Sequence, residues 1–434
     1  MSLAGQVQVL ALDPIVFNNS RVEWELPDNY YLSDSMVIGN LGVYAPNVLV
    51  TNTIAAYYPV TCGVGQCIAR FTLMSGSDEI EFLEKVPQWL SHKAINTSYS
   101  ANEDIHHNTL HNGWGWGELP DQNVAGVAAN TLGGLLTLSS VRKDYVTAFN
   151  SGGSLSHGNQ TRIGASQYPP GTSASLPVKM LSGLLRATPV LPRIPRLRLV
   201  IEYDLDPTHY YTPAAGTAPT ALAPTFPTLY VQKLLNPPPQ PPVINIPFES
   251  IKCDSGFVVP AQINGNAGTV QSVTYQSYAF TGKKLTDLLL YAMPSAASGY
   301  MLPSIKSPGQ ASETINFIIN GTKYIPDNGI DTPAIKLQYL IGTNGSYTLP
   351  MMCEAYGMFA AGSITTETNA VGNLSLCAVA VDAVLTTQIQ VEYSRTNPAA
   401  PTADQTGAFT MLLFGGESQV LSINAGRASI SLAS

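Results

Sequence analysis

The sequence predicts an all-β protein made of two related β-domains in tandem. Three observations lead there: a turn-rich composition that is poor in charge, a near absence of helical periodicity, and a matching order of features on either side of a proline run near the middle of the chain. Each is taken in turn.

Charged residues make up 12% of the 434 positions, about half the usual share of about 25%. Gly (36), Pro (32) and small polar residues fill the deficit, while 21 Tyr, 12 Phe and an ordinary 45% hydrophobic content supply a core. This is the balance of a loop-rich β-protein, not of a disordered chain. Scarce charge also suits a surface that is largely covered by other subunits, because interface cores are depleted in charge.

Short alternating runs between Gly, Pro, Asn and Ser turns predict strands. "RVEWELP" sets Val22, Trp24 and Leu26 against polar neighbours. "QCIARFTLMSG" does so with Ile68, Phe71 and Leu73, and "RLRLVIEYDL" with Leu197, Leu199 and Ile201. "SVTYQSYAF" and "TQIQVEYS" follow the same rule. Only 77–93 offers a helical face, through Ile80, Phe82, Leu83, Val86 and Leu90, and Pro87 limits it.

"LLNPPPQPPVINIP" places Pro237, Pro238, Pro239, Pro241 and Pro242 within six residues. Proline fixes φ and lacks an N–H, so the segment reads as a stiff polyproline II spacer. Before it stands "LRLVIEYDLDPT", then an Ala/Pro/Thr-rich loop and "TLYVQKLL". After it stands "TQIQVEYSRTNPA", a similar loop and "AFTMLLFGG". Glu202-Tyr203 and Glu392-Tyr393 take equivalent places, and the preceding "PVKMLSGLLRATPVLP" and "CAVAVDAVLTT" also rhyme. The expected division is therefore 1–236, a rigid linker 237–247, and 248–434. Long loops are expected around 96–176 in the first unit and around 303–348 in the second, since such loops in compact domains usually serve function or interaction.

The net charge is −8 and no Lys/Arg run occurs at either end, so direct binding of nucleic acid through a basic arm is not expected. Cys62, Cys67, Cys253, Cys353 and Cys377 are odd in number and irregularly spaced. They read as buried thiols in a reducing compartment, with a Cys62–Cys67 pair or metal contact as the alternative. No signal peptide is expected at "MSLAGQVQVLALDP", and the apolar window "VAGVAANTLGGLLTLSS" is too short and polar to span a bilayer.

"NEDIHHNTLHNGWGWGE" is the one cluster with chemical potential. His107 and His111 are four apart, with His106 nearby, and on a helix they could share a metal. The Asn- and Gly-rich context argues for a polar loop instead, and the order is not that of a zincin. Trp114 and Trp116 flank Gly115 and suit either an inter-subunit plug or stacking on a sugar. "CGVGQC" lacks phosphate-loop spacing, "SGSDE" and "DLDPT" read as turn caps, and no Ser shows a nucleophile elbow. No catalytic residue, cofactor or firm metal ligand is assigned.

"RVEWELPDNYYLSDSMVIGNLGVY", "CIARFTLMSGSDEIEFLEK", "LPVKMLSGLLRATPVLPRIPRLRLVIEYDL" with "TLYVQKLL", and the closing "QVLSINAGRASISL" resemble strand signatures of the double jelly-roll major capsid proteins of icosahedral double-stranded DNA viruses, most nearly the compact virophage and polinton-like branch. The resemblance implies two eight-stranded jelly rolls per chain and a homotrimer that is a pseudohexamer. It also implies a virion structural protein, not an enzyme, made inside the host cell and not secreted. The implied partners are sister chains, neighbouring capsomers, and penton and minor capsid proteins, with membrane contact left open. The alternatives are a minor capsid or receptor- or glycan-binding β-sandwich protein using Trp114 and Trp116, and a cupin-like metal enzyme using His106, His107 and His111.

Overall fold

The computed structural model describes residues 7–46, 63–90, 173–210, 219–237, 239–260, 268–294, 312–324, 329, 376–396, 408–424 and 427–432. The first part of the chain forms β1 (Val7–Leu12), β2 (Val16–Phe17), β3 (Arg21–Glu25), β4 (Tyr31–Leu32), β5 (Val37–Tyr44), β6 (Ile68–Ser75) and β7 (Asp78–Glu84). It continues with β8 (Ser173–Pro177), a short helix α1 (Gly183–Ala187), β9 (Val190–Leu191), β10 (Leu197–Tyr203), β11 (Ala223–Pro224) and β12 (Thr228–Leu234). The second part forms β13 (Val243–Val259), β14 (Val270–Ser277), β15 (Lys284–Pro294), β16 (Ser312–Ile319), β17 (Thr322–Lys323), β18 (Leu376–Leu385), β19 (Ile389–Thr396), β20 (Phe409–Asn424) and β21 (Arg427–Leu432).

The pairing repeats. In the first half one sheet contains the path β1-β12-β5-β8 and the facing sheet the path β3-β10-β6-β7. In the second half the paths are β13-β20-β15-β18 and β14-β19-β16-β17. Taken in chain order, the eight principal strands of each half enter the same positions of the same two sheets. Every pairing is antiparallel, and most strands are joined to non-neighbours, as in a jelly roll built from Greek keys. Glu202-Tyr203 lies on β10 and Glu392-Tyr393 on β19, the equivalent strands of the two halves. The other expected rhyme does not hold: "PVKMLSGLLRATPVLP" follows β8 and carries α1, whereas "CAVAVDAVLTT" falls mainly within β18 itself.

Alternation builds both barrels. Val22, Trp24, Phe71, Leu73, Leu199 and Ile201 point into the first core, and Ile315, Phe317, Ile319, Val391 and Tyr393 into the second; inward and outward side chains alternate along each strand. Asn320 and Gly321 sit at φ 52 and 78 between Ile319 and Thr322, which pair. Two positive φ angles make the two-residue turn whose twist matches a hairpin.

Several expectations are corrected. Residues 78–84 are strand, not helix; only 86–90 are helical, with Pro87 in the first turn, where its missing N–H is harmless. The long loop expected around 96–176 does not reach 176, since β8 begins at Ser173. Within 303–348 the chain forms the β16–β17 hairpin, because Ile315, Phe317 and Ile319 alternate into the core. The linker expected over 237–247 ends at Pro242, and Pro247 is inside β13. Pro247 is tolerated there because, among the described residues, β13 pairs on one side only, with β20.

Candidate assembly interface

The proline segment does not hold the halves apart. Ile246, Phe248, Ile251 and Cys253 of β13, Leu289 and Tyr291 of β15, and Leu412, Phe414, Leu421 and Ile423 of β20 belong to the same buried cluster as the first-half core. The second barrel keeps its own interior around Leu288, Leu290, Leu413 and Phe317. Packing therefore sets the spacing. Gln240, in the proline segment, ties it down by accepting from the Arg193 N–H at 3.1 Å and donating to its carbonyl at 3.2 Å.

The first-half side of this junction is β7, the turn at 86–90 and α1. The Trp89 and Phe414 rings meet at 6.0 Å between centroids, and the Arg186 guanidinium lies 5.9 Å from the Trp89 ring centre. Glu81 on β7 is buried and accepts from the Ser182 hydroxyl (2.6 Å), the Gly183 N–H (2.6 Å) and the Leu184 N–H (3.3 Å). It thereby satisfies two of the N–H groups that every helix start leaves unpaired. Burial pushes the Glu81 carboxyl above its ordinary pKa; these donors and Arg186 only partly oppose that shift. α1 then lies flat on β13: a Cβ on Gly183 would stand 1.6 Å from the Glu249 carbonyl oxygen.

The sheet that the second half presents to this junction is buried on both faces. "LLLY" (288–291) and "MLLF" (411–414) are accordingly continuous apolar runs, not alternations. Leu289, Tyr291, Leu412 and Phe414 are at most 4% exposed. Among the described residues, nothing covers the outer face of the equivalent sheet of the first half. Val7, Val9 and Ala11 of β1 share it with Thr228, Tyr230 and Gln232 of β12 and Val37 of β5. Val9 is 61% and Tyr230 43% exposed, and the Tyr230 ring covers Gly39 so closely that a Cβ there would lie 2.6 Å away. No charged residue occupies an outward position of β1, β12 or β5 on this face. Tyr230 thus takes, on β12, the outward role that Phe414 has on β20.

His106, His107, His111, Trp114 and Trp116 lie outside the described residues, as do Pro238, Cys62 and Cys353. Pro237, Pro239, Pro241 and Pro242 run between β12 and β13. Among the described residues no group of three His, Cys, Asp or Glu side chains is placed to hold a metal, and no helix is long and apolar enough to cross a membrane. Cys67 and Cys253 are buried thiols, and burial raises the Cys253 pKa. In "DLDPTH", Asp206 caps Thr208, and Asp204 meets His209 Nδ1 at 2.7 Å. That hydrogen bond raises the imidazole pKa, against the opposing effect of burial.

No family model and no curated protein matches the sequence. Solved structures do match the fold. A chain of the Sputnik virophage particle superposes with a TM-score of 0.57 at 11% identity, covering 99% of this chain and 89% of that one. PBCV-1 VP54 gives 0.54 at 10%, covering 99% and 97%, and the mavirus major capsid protein 0.51 at 10%, covering 98% and 90%. The chain has the double jelly-roll fold. Both jelly rolls take part in the match, because it spans nearly the whole chain, so the two four-plus-four strand sets are the two barrels of that fold. The bare sheet face and the intra-chain junction are then equivalent places on its two barrels.

Proposed function

We propose that the protein is a major capsid protein whose three copies close into a pseudohexagonal capsomer that tiles an icosahedral shell. One observation carries this reading beyond the fold: the two barrels present equivalent sheets, one covered by the other half of the chain, the other left uncovered by the described residues and without an outward charged side chain. A neighbouring chain can cover the bare face with the edge of its second barrel beside β17, by the same kind of contact that β7 makes within the chain. Such a contact is heterologous, and it ends in a closed ring when the repeated rotation returns to the start. Two barrels per chain and three chains give six similar contacts around one axis.

The role is structural and located in the virion, with assembly inside the host cell and without secretion. Sister chains and neighbouring capsomers are the partners, with penton and minor capsid proteins at the vertices and seams. A chain of net charge −8 suits indirect contact with the genome. Light scattering of the purified protein is expected to give about three times the 46.2 kDa chain mass, and negative-stain images are expected to show hexagonal particles. A monomer at micromolar concentration would overturn the reading.

A further inference from the structure

The outer face of the first barrel's second sheet is unlike the rest of this charge-poor chain. Across its strands Arg21 (β3), Glu202 (β10), Arg70 (β6) and Glu84 (β7) stand side by side in one register row, with alternating sign. Glu23, Glu25, Arg198 and Glu79 occupy the neighbouring positions. The equivalent face of the second barrel has Ser272, Thr274, Gln390 and Ser394 in such places, and Glu392 and Lys323 are its charges. The two copies of one sheet have therefore taken different surfaces.

Internal pairing uses only part of this charge. Arg21 and Arg198 both turn to Glu23, each at 2.6 Å, and Arg70 turns to Glu79 at 2.8 Å, with Glu84 farther off at 3.9 Å. Glu202 stands between Arg21 and Arg70, yet among the described residues no ion pair holds it. Arg21 and Glu84, at opposite ends of the row, remain 41% and 47% exposed.

An alternating row has a definite symmetry. A two-fold axis parallel to the strands reverses the order of the row while keeping its height, so plus-minus-plus-minus meets minus-plus-minus-plus. Arg21 then faces Glu84 of the second copy, and Glu202 faces Arg70. The outer flanking residue Glu25 faces Glu79, whose charge Arg70 already offsets. An axis along the row would instead set like charges together. We propose that this face is an isologous contact between two copies of the chain that belong to different rings, so that capsomers meet barrel one to barrel one through a self-complementary charge row. The proposal rests on the capsid reading and assigns a second, separate surface: the apolar β1-β12-β5 face closes the ring, and the charged face joins rings.

Strand spacing puts Arg21 and Glu84 of one chain about 14 Å apart, so they do not interact directly; each reversal also disturbs its own neighbour, Glu23 or Arg70, but rescue of one reversal by the other can act only through another copy. Sedimentation of the full chain is measured for wild type, R21E, E84R and R21E/E84R. Each single variant is expected to keep the ring mass and to need at least about tenfold higher concentration to form larger species, because like charges face each other across the contact. The double variant is expected to return to within about threefold of wild type. High salt is expected to weaken wild-type ring-to-ring association, since the screening length falls to about 3 Å at 1 M. If R21E proves unstable beside Glu23, Arg21→Gln and Glu84→Gln replace the reversals; their effects are then expected to be non-additive. Single variants that associate like wild type, a double variant no better than the poorer single, or strictly additive neutral variants would each overturn the proposal. Rings that never associate in wild type would do so as well. Loss of the ring in wild type would instead count against the capsid reading.

Discussion

Gly183 and Glu249 touch across the junction between the two barrels, so closely that a methyl on Gly183 would fall 1.6 Å from the Glu249 carbonyl oxygen. The obstacle is backbone, which cannot swing aside as a flexible side chain would. Gly183→Ala is therefore expected to push α1 off β13 and to lower stability by about 3 kcal/mol, at the upper end of ordinary overpacking costs. Denaturant unfolding of the variant measures this, and a change under 0.5 kcal/mol would show that the junction yields freely.

Glu81 anchors the same helix. Replacing it with Ala leaves the Ser182 hydroxyl and the Gly183 N–H without their acceptor in a buried place. A loss of about 2–4 kcal/mol is expected from unpaired buried donors. The pH dependence has a fixed sign. The folded-state pKa lies above the ordinary 4.5, so the folded protein holds this proton more tightly than the unfolded chain does. The contribution is complete below 4.5 and is lost as the pH rises through the folded value. Wild type should gain stability over Glu81→Gln as the pH falls toward 4.5, which chemical denaturation at stepped pH would reveal.

Phe414 and Tyr230 are expected to respond in opposite ways. Phe414 is 1% exposed at the intra-chain junction, so Phe414→Ala should cost about 3–5 kcal/mol of chain stability. Tyr230 is 43% exposed, so Tyr230→Asp should leave the melting of the isolated chain within about 0.5 kcal/mol of wild type. It should nevertheless abolish the proposed trimer. Mass measurement and thermal unfolding on both variants separate the two effects.

His209 provides a small second pH effect. Its hydrogen bond to Asp204 raises the imidazole pKa above 6.5. The stabilisation is full below that value and fades as the pH rises through the raised one. The pair is part-exposed, so His209→Ala should remove at most about 1 kcal/mol, and only at acidic pH. An NMR titration of the His209 ring would check the direction.

Much of the fold was legible because alternation is a local signal. Val22 and Trp24, and Leu197, Leu199 and Ile201, face the core as their spacing requires. The duplication was legible too, since Glu202-Tyr203 and Glu392-Tyr393 fall on equivalent strands. β7 was misread because Ile80, Leu83, Val86 and Leu90 fit a helical stripe as well as a strand followed by a turn. β16 was passed over although Asn320-Gly321 is a strong hairpin signal. The proposed assembly surface was the least legible part. Val9 and Tyr230 look like any strand residues, and only the coordinates show that their sheet is the uncovered one of two. The apolar runs at 288–291 and 411–414 were a usable clue that one sheet is enclosed on both sides.

The shared core has a bearing on how the chain is made. Phe414, Leu421 and Ile423 complete the cluster that includes Trp24 and Trp89, with Ile430 packed against it. The junction side of the first barrel therefore stays incompletely covered until residues some 400 positions downstream of Trp24 have left the ribosome. Until those residues are made, the side of the first barrel around Trp89 lacks the Phe414 ring of the second barrel to pack against.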